Sequence, residues 1–302
     1  MVDIILHVGR PKTGTTAIQN FLTKNKSTLL EQGILYPHTG RFSERSNNHM
    51  PLFLSMCERV DVIQTPIVEP ALPAHVYTRL LQTEIDAYNA HTVILSYETL
   101  FMPAFDKISL EHIKSSLDFA RIKILAVLRD QGTMLESSFA QRVSGPQRFA
   151  GTAKEHYDMQ EARGAFDYER RLAVFEAVFG RDQLHVHWYE DIRGDIMKPV
   201  RDIAQIDGSR EYSAPSYDNS RASWLFIYLL RQINKSKVSG HNRNFMIRII
   251  RRIDNLLVTF GFQKILDKLF SPYAEKSKQE LRERYLDANK REGEKYGSPL
   301  GQ

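Results

Sequence analysis

Gly9-Arg10-Pro11-Lys12-Thr13-Gly14-Thr15-Thr16 follows the apolar run Ile4-Ile5-Leu6-His7-Val8 and precedes Ala17-Ile18-Gln19-Asn20-Phe21-Leu22. The apolar run reads as a buried strand, and Ile18, Phe21 and Leu22 recur at helical spacing. Strand, glycine-containing loop and helix together make an anion cradle. Backbone N–H groups point into the loop, and the helix N-terminus adds positive potential.

The details of the loop narrow the anion. A Walker A loop reads G-x-x-x-x-G-K-[ST]. Gly9 and Gly14 keep that glycine spacing, but Thr15 stands where the lysine belongs and the lysine has moved forward to Lys12. No apolar strand ends in an obvious magnesium-binding Asp; Val127-Leu128-Arg129-Asp130 comes nearest, with an Arg before the Asp. The Pro11-Lys12-Thr13-Gly14-Thr15-Thr16 string instead resembles the 5′-phosphosulfate loop of sulfotransferases that use 3′-phosphoadenosine-5′-phosphosulfate.

A second segment supports the resemblance. Ile122-Lys123-Ile124-Leu125-Ala126-Val127-Leu128 reads as another buried strand, running into Arg129-Asp130 and a helix over 133–143. In the sulfotransferase family a strand ends in Arg, and a Ser eight positions later joins it on the 3′-phosphate. Here the resemblance assigns those roles to Arg129 and Ser137, with Ser138 beside it. The planar guanidinium fork suits a phosphate. Taken singly, each segment has a plainer reading. The first loop would be a strand-to-helix turn with a threonine cap, and Arg129 would pair with Asp130 or Glu136.

The alternation of strands and helices continues down the chain. Helices are expected over 77–90, 109–119, 168–179 and 195–206, the third closed by Gly180 as a C-cap, and strands over 92–96 and 184–188. Residues 37–75, with five prolines, are expected to be loop-rich and to form an acceptor wall. The pattern implies an α/β, P-loop-like three-layer fold with a central parallel sheet flanked by helices, plus a helical C-terminal extension. A sulfotransferase domain is expected over 1–235, with the extension, 236–302, packed on it. Lys12, Glu98 and Arg129 all follow strand ends, where ligands sit in such sheets.

The resemblance extends to Phe166-Asp167-Tyr168, Phe179-Gly180-Arg181-Asp182 and Trp188-Tyr189-Glu190-Asp191, and more weakly to Asn219-Ser220 and Asn289. These look like bacterial glycan-type sulfotransferases. The Arg-Lys-Gly string of cytosolic relatives does not occur, and the only tryptophans are Trp188 and Trp224, so the adenine partner stays open.

The resemblance implies sulfuryl transfer from 3′-phosphoadenosine-5′-phosphosulfate to a hydroxyl, on a carbohydrate or glycolipid, with no metal. Donor-binding residues would be Arg10, Pro11, Lys12, Thr13, Gly14, Thr15, Thr16, Arg129 and Ser137. Lys12 would stabilise charge building on the leaving phosphate. Glu98, just past a strand, is the first choice of general base, and His49 is its rival. His7 reads as a core or rim histidine, and His185 and His187 as packing residues on one strand face. The alternatives are a nucleotide-dependent phosphotransferase using the same loop and a non-catalytic nucleotide-binding protein.

The bulk numbers agree with this class. The chain has 302 residues, 42% hydrophobic and 25% charged, enough for a large core. A net charge of +5 suits an anionic co-substrate but is too small to argue for nucleic acid. The single cysteine, Cys57, excludes an intramolecular disulfide, reads as a core filler and points to a reducing, cytoplasmic setting. No signal-peptide pattern and no run of about 18 apolar residues is read. Between Met246 and Leu257 an apolar stripe at helical spacing is interleaved with arginines. It reads as a core-packed helix with a basic face. The sharper expectation is peripheral contact with the inner face of a membrane.

Overall fold

The computed structural model describes residues 1–10, 13–42, 47–57, 72–214, 222–236 and 238–297. In chain order its elements are β1 (Val2–Gly9), α1 (Thr15–Lys24), α2 (Lys26–Leu30), β2 (Ile34–Leu35), α3 (Met50–Met56), α4 (Ala74–Ala87), β3 (Thr92–Ser96), α5 (Lys107–Ser116), β4 (Ala120–Leu128), α6 (Gln131–Ser144), α7 (Ala153–Ala162), α8 (Tyr168–Phe179), β5 (Leu184–Trp188), α9 (Tyr189–Ile192), α10 (Lys198–Ala204), α11 (Trp224–Lys235), α12 (Gly240–Thr259), α13 (Gln263–Phe270) and α14 (Glu275–Lys295). Short 3-10 turns follow β3, at Glu98–Phe101, and precede β5.

The five strands form one parallel sheet in the order β2-β3-β1-β4-β5. A parallel sheet covered on both faces needs strands apolar on both faces, which is why β1, β3 and β4 read as continuous apolar runs. Ile4, Leu6 and Val8 of β1 join Leu95, Ile124 and Val186 on one face, under α3, α4, α5 and α8. Ile5, Ile94 and Leu125 point the other way, under α1 and α10. The result is the expected three-layer α/β arrangement. β1 is the hinge of the topology: β3 adds on one side and β4 on the other, so the crevice at strand ends opens beside the loop that follows β1.

Two compact units are distinguished. The sheet unit holds 1–129, 167–217 and 287–302; the second unit holds 130–166 and 218–286. The second unit is helical. Met134, Leu135 and Phe139 of α6 pack with Trp224, Ile227 and Leu230 of α11 and with Leu281 of α14.

Some local expectations change. Within 37–75, which reads as loop, Met50–Met56 is helical, because Pro51 stands in its first turn, where a missing N–H costs nothing. Residues 58–71 lie outside the described residues, as do Asn219 and Ser220. The helix expected over 195–206 is shorter, Lys198–Ala204, ended by Gln205 at φ +54°. Gly180 closes α8 at φ +91°, as its sequence position implied.

Candidate active site

The loop after β1 depends on two glycines for different reasons. Gly9 pairs with Val127 across the sheet, and a Cβ there would lie 2.2 Å from the Val127 carbonyl oxygen. Only a bare backbone lets the chain leave β1 while the Arg10 N–H donates to that same oxygen at 3.0 Å. Gly14, at φ +80°, is the N-cap of α1, and a Cβ would strike Ile196. With glycine as the cap, no cap side chain accepts from the first N–H groups of α1, and its first turn holds no acid. The positive end of that helix is therefore presented at the crevice.

Thr13 is buried and its hydroxyl donates to the Arg10 carbonyl at 2.7 Å, which curls the loop. Thr15 is buried beside it, and Thr16 is exposed. Pro11 and Lys12 lie outside the described residues. Arg10, grouped by the resemblance with the donor-binding residues, has its side chain 1% exposed. Its guanidinium donates to Met102 Sδ at 3.0 Å and lies 5.8 Å from the Tyr168 ring centroid. Burial holds its pKa below the usual arginine range.

The end of β3 is built on a buried polar network. Ser96 Oγ accepts from Gln19 Nε2 at 2.9 Å and lies 2.9 Å from His7 Nδ1. The Ser96 N–H donates to His49 Nδ1 at 3.0 Å, and His49 Nε2 lies 3.1 Å from the Pro37 carbonyl. An imidazole that accepts at Nδ1 carries its proton at Nε2, so His49 is neutral and donates to Pro37. Burial pushes the His49 pKa down to about 3 and that of His7 to about 4. His49, which reads as a loop histidine, is instead the fully buried N-cap residue of α3.

Glu98 begins the 3-10 turn two residues past β3 and is half-buried. It is close enough to Tyr36 for its charge to act on that hydroxyl. Burial raises the Tyr36 pKa, Arg41 opposes the rise and Glu98 adds to it. Arg41 lies over the Tyr36 ring, 4.2 Å from its centroid, and donates to the Tyr36 carbonyl at 3.0 Å.

Arg129 leaves the end of β4. Its carbonyl accepts from the Tyr168 hydroxyl at 2.8 Å. Its guanidinium lies 4.8 Å from the Tyr189 ring centroid and 3.9 Å from Glu190 Oε1. Tyr189 and Glu190 read only as part of the family likeness, without a role. The signal that finds them is parallel pairing of β4 with β5, in register Leu128 with Trp188, which sets residues 129 and 189 side by side. Both tryptophans are core: Trp188 is fully buried and Trp224 belongs to the second unit's core.

In the second unit, Asp130 caps α6 by accepting from the Thr133 N–H at 3.0 Å and pairs with Arg282 at 2.7 Å. Asp130, one of the two partners that the plainer reading offers Arg129, is thus bonded to Arg282. Ser137 is half-buried on α6, whereas Ser138 is buried, donates to the Leu135 carbonyl and meets His156 Nε2 at 2.9 Å. Among the described residues, no three His, Cys, Asp or Glu side chains converge as a metal site would require.

The family model for the sulfotransferase domain matches residues 3–257, and the chain belongs to that family. Sulfuryl transfer is the general chemistry that membership brings, with 3′-phosphoadenosine-5′-phosphosulfate as the co-substrate the family implies. Among solved structures the chain is similar to a sulfotransferase from Alicyclobacillus acidocaldarius, at 16% identity and a TM-score of 0.46, over 81% of this chain and 95% of that one. No curated protein matches.

Proposed function

We propose that this chain transfers the sulfuryl group of 3′-phosphoadenosine-5′-phosphosulfate to a hydroxyl of a carbohydrate or glycolipid. The reading rests on one observation above all: the uncapped, acid-free N-terminus of α1 follows the glycine loop of β1, and Arg129 ends the neighbouring strand β4. Two anion-binding devices at adjacent strand ends suit a donor with phosphate groups at both ends of its ribose.

In this mechanism the acceptor oxygen attacks sulfur in line with the bridging oxygen. The acceptor proton passes to the Glu98 carboxylate. The bond from sulfur to the bridging oxygen breaks, and its electron pair stays on the departing 5′-phosphate. Lys12 would meet that growing charge, together with backbone N–H groups of Thr13, Gly14, Thr15 and Thr16. Arg129 would hold the 3′-phosphate, and Ser137 is the further ligand that the family resemblance implies. Residues 1–235 would carry this chemistry. The lone Cys57 supports work in a reducing compartment, the cytoplasm.

Calorimetric titration with adenosine-3′,5′-bisphosphate, against AMP and ATP, tests the reading. The bisphosphate should bind without magnesium at micromolar strength, about −8 kcal/mol. Arg129→Ala should remove the preference over AMP. Binding of ATP alone, and only with magnesium, would overturn the proposal in favour of a phosphotransferase.

A further inference from the structure

The arginine-rich helix α12 has three faces. Ile247 and Ile250 turn inward onto the helical core of the second unit, and Asp254 follows them. Phe245, Ile249, Ile253, Leu256 and, at the C-cap, Phe260 recur at spacings of three and four and so share another face. All five are exposed, Phe260 to 70%. Arg248 and Arg252, one turn apart, border that face and are exposed too. The pattern repeats at α13, where Phe262 at the N-cap, Ile265 and Leu269 are exposed beside Lys264 and Lys268. A core-packed helix needs one apolar face; these helices carry a second that the fold leaves in water.

The carboxylates sharpen the point. Residues 240–270 hold six Arg or Lys side chains and two acids, Asp254 and Asp267. Both acids are committed to the start of α11. Asp254 accepts from the Ser223 hydroxyl and, at 3.3 Å, from the Ser223 N–H; Asp267 accepts from the Trp224 N–H at 3.0 Å. There they cap a helix N-terminus, where negative charge is favoured. The outward side is left apolar and cationic.

We infer that α12 and α13 form a docking surface for an anionic lipid bilayer, with apolar side chains entering the headgroup boundary and arginines and lysines on lipid phosphates. Charge selects this occupant over a second copy of the chain. A two-fold interface through this face would set it against its own copy, cationic face on cationic face, a like-charge arrangement that opposes association. The inference does not depend on which donor or acceptor the sheet unit uses.

The test is co-sedimentation of the full chain with vesicles of phosphatidylcholine alone and of phosphatidylcholine with phosphatidylglycerol, at low salt and at about 0.5 M salt. The chain should pellet with the anionic vesicles, far less with the neutral ones, and less at high salt. Arg248→Glu with Arg252→Glu, and separately Ile253→Ser with Leu256→Ser, should each lower the partition coefficient at least about tenfold. Unchanged thermal unfolding would show that these exposed substitutions leave the fold intact. No pelleting with anionic vesicles, or equal pelleting of the variants, would overturn the inference. So would dimerisation in sedimentation velocity that the serine variants abolish, with no lipid binding; that result would make the face a contact between copies.

Discussion

Ser96 and His49 hold each other across 47 residues of chain: the His49 N–H donates to the Ser96 carbonyl at 2.9 Å, and the Ser96 N–H donates back to His49 Nδ1 at 3.0 Å. With Nε2 given to Pro37, both ring nitrogens are committed to backbone atoms. The ring therefore fixes the end of β3, two residues ahead of Glu98. In the proposed reaction that clamp leaves the role of base to Glu98.

Glu98→Gln keeps size and removes the basic carboxylate. We expect kcat to fall by about 10²- to 10⁴-fold while affinity for adenosine-3′,5′-bisphosphate holds. His49→Gln should behave differently, losing about 2–4 kcal/mol of stability as its buried backbone partners go unmet. Steady-state kinetics with urea unfolding of both variants separates the roles. Wild-type turnover in Glu98→Gln would remove it as base.

Lys12→Ala should lower kcat by about 10²- to 10³-fold, the cost of removing one donor aimed at developing charge. Its effect on bisphosphate affinity should be smaller, because the charge that Lys12 is proposed to meet grows only as sulfur departs. Single-turnover kinetics beside calorimetry checks this; equal losses in both would make Lys12 a plain binding residue.

Gly9→Ala should cost about 3 kcal/mol or more, or prevent folding, because its methyl group would overlap the Val127 carbonyl that β1 and β4 share. Gly180→Ala is the control. That glycine also has positive φ, +91°, but nothing lies within 4 Å of its missing Cβ, so only backbone strain of about 1–2 kcal/mol is expected. Comparable urea midpoints for the two variants would contradict the close-approach argument.

Acid should destabilise the fold through buried imidazoles. An unfolded histidine takes up a proton near pH 6.5, but burial holds the folded His7 to about 4 and His49 to about 3. Between those limits the unfolded state binds more protons, so stability is intact above pH 6.5 and drains away as pH falls toward 4 and then 3. The slope is about 1.4 kcal/mol per pH unit for each ring. His156 in the second unit, also lowered to about 4 by burial, adds the same trend there. Urea midpoints from pH 7 to 4.5 should fall steadily; a flat profile would refute the neutral-ring assignment.

Much of the sheet unit was legible from local pattern. Strands buried on both faces must be apolar at every position, so β1, β3 and β4 stood out as runs and not as alternations. The glycine loop was legible because Gly9 and Gly14 occupy backbone positions that other residues cannot take, a constraint written into residue type. Helices such as α8 announced themselves by periodicity and a terminal glycine. α3 did not, since seven residues with a proline in the first turn look like a connection.

The sequence by itself thus determined the type of most elements of the sheet unit, though not α3, along with the glycine loop after β1, the strand ends that carry Glu98 and Arg129, and the basic amphipathic segment that becomes α12. These depend on spacing within about twenty residues, where helix and strand periods act. Tertiary structure alone decided the strand order that brings Tyr189 and Glu190 beside Arg129. It also decided the burial of Arg10 against Met102 and Tyr168, and the enclosure of His49 between Pro37 and Ser96. A long polar side chain reads the same in water or in a core. Which it meets is set by packing among residues scores of positions apart, a register that no local period encodes.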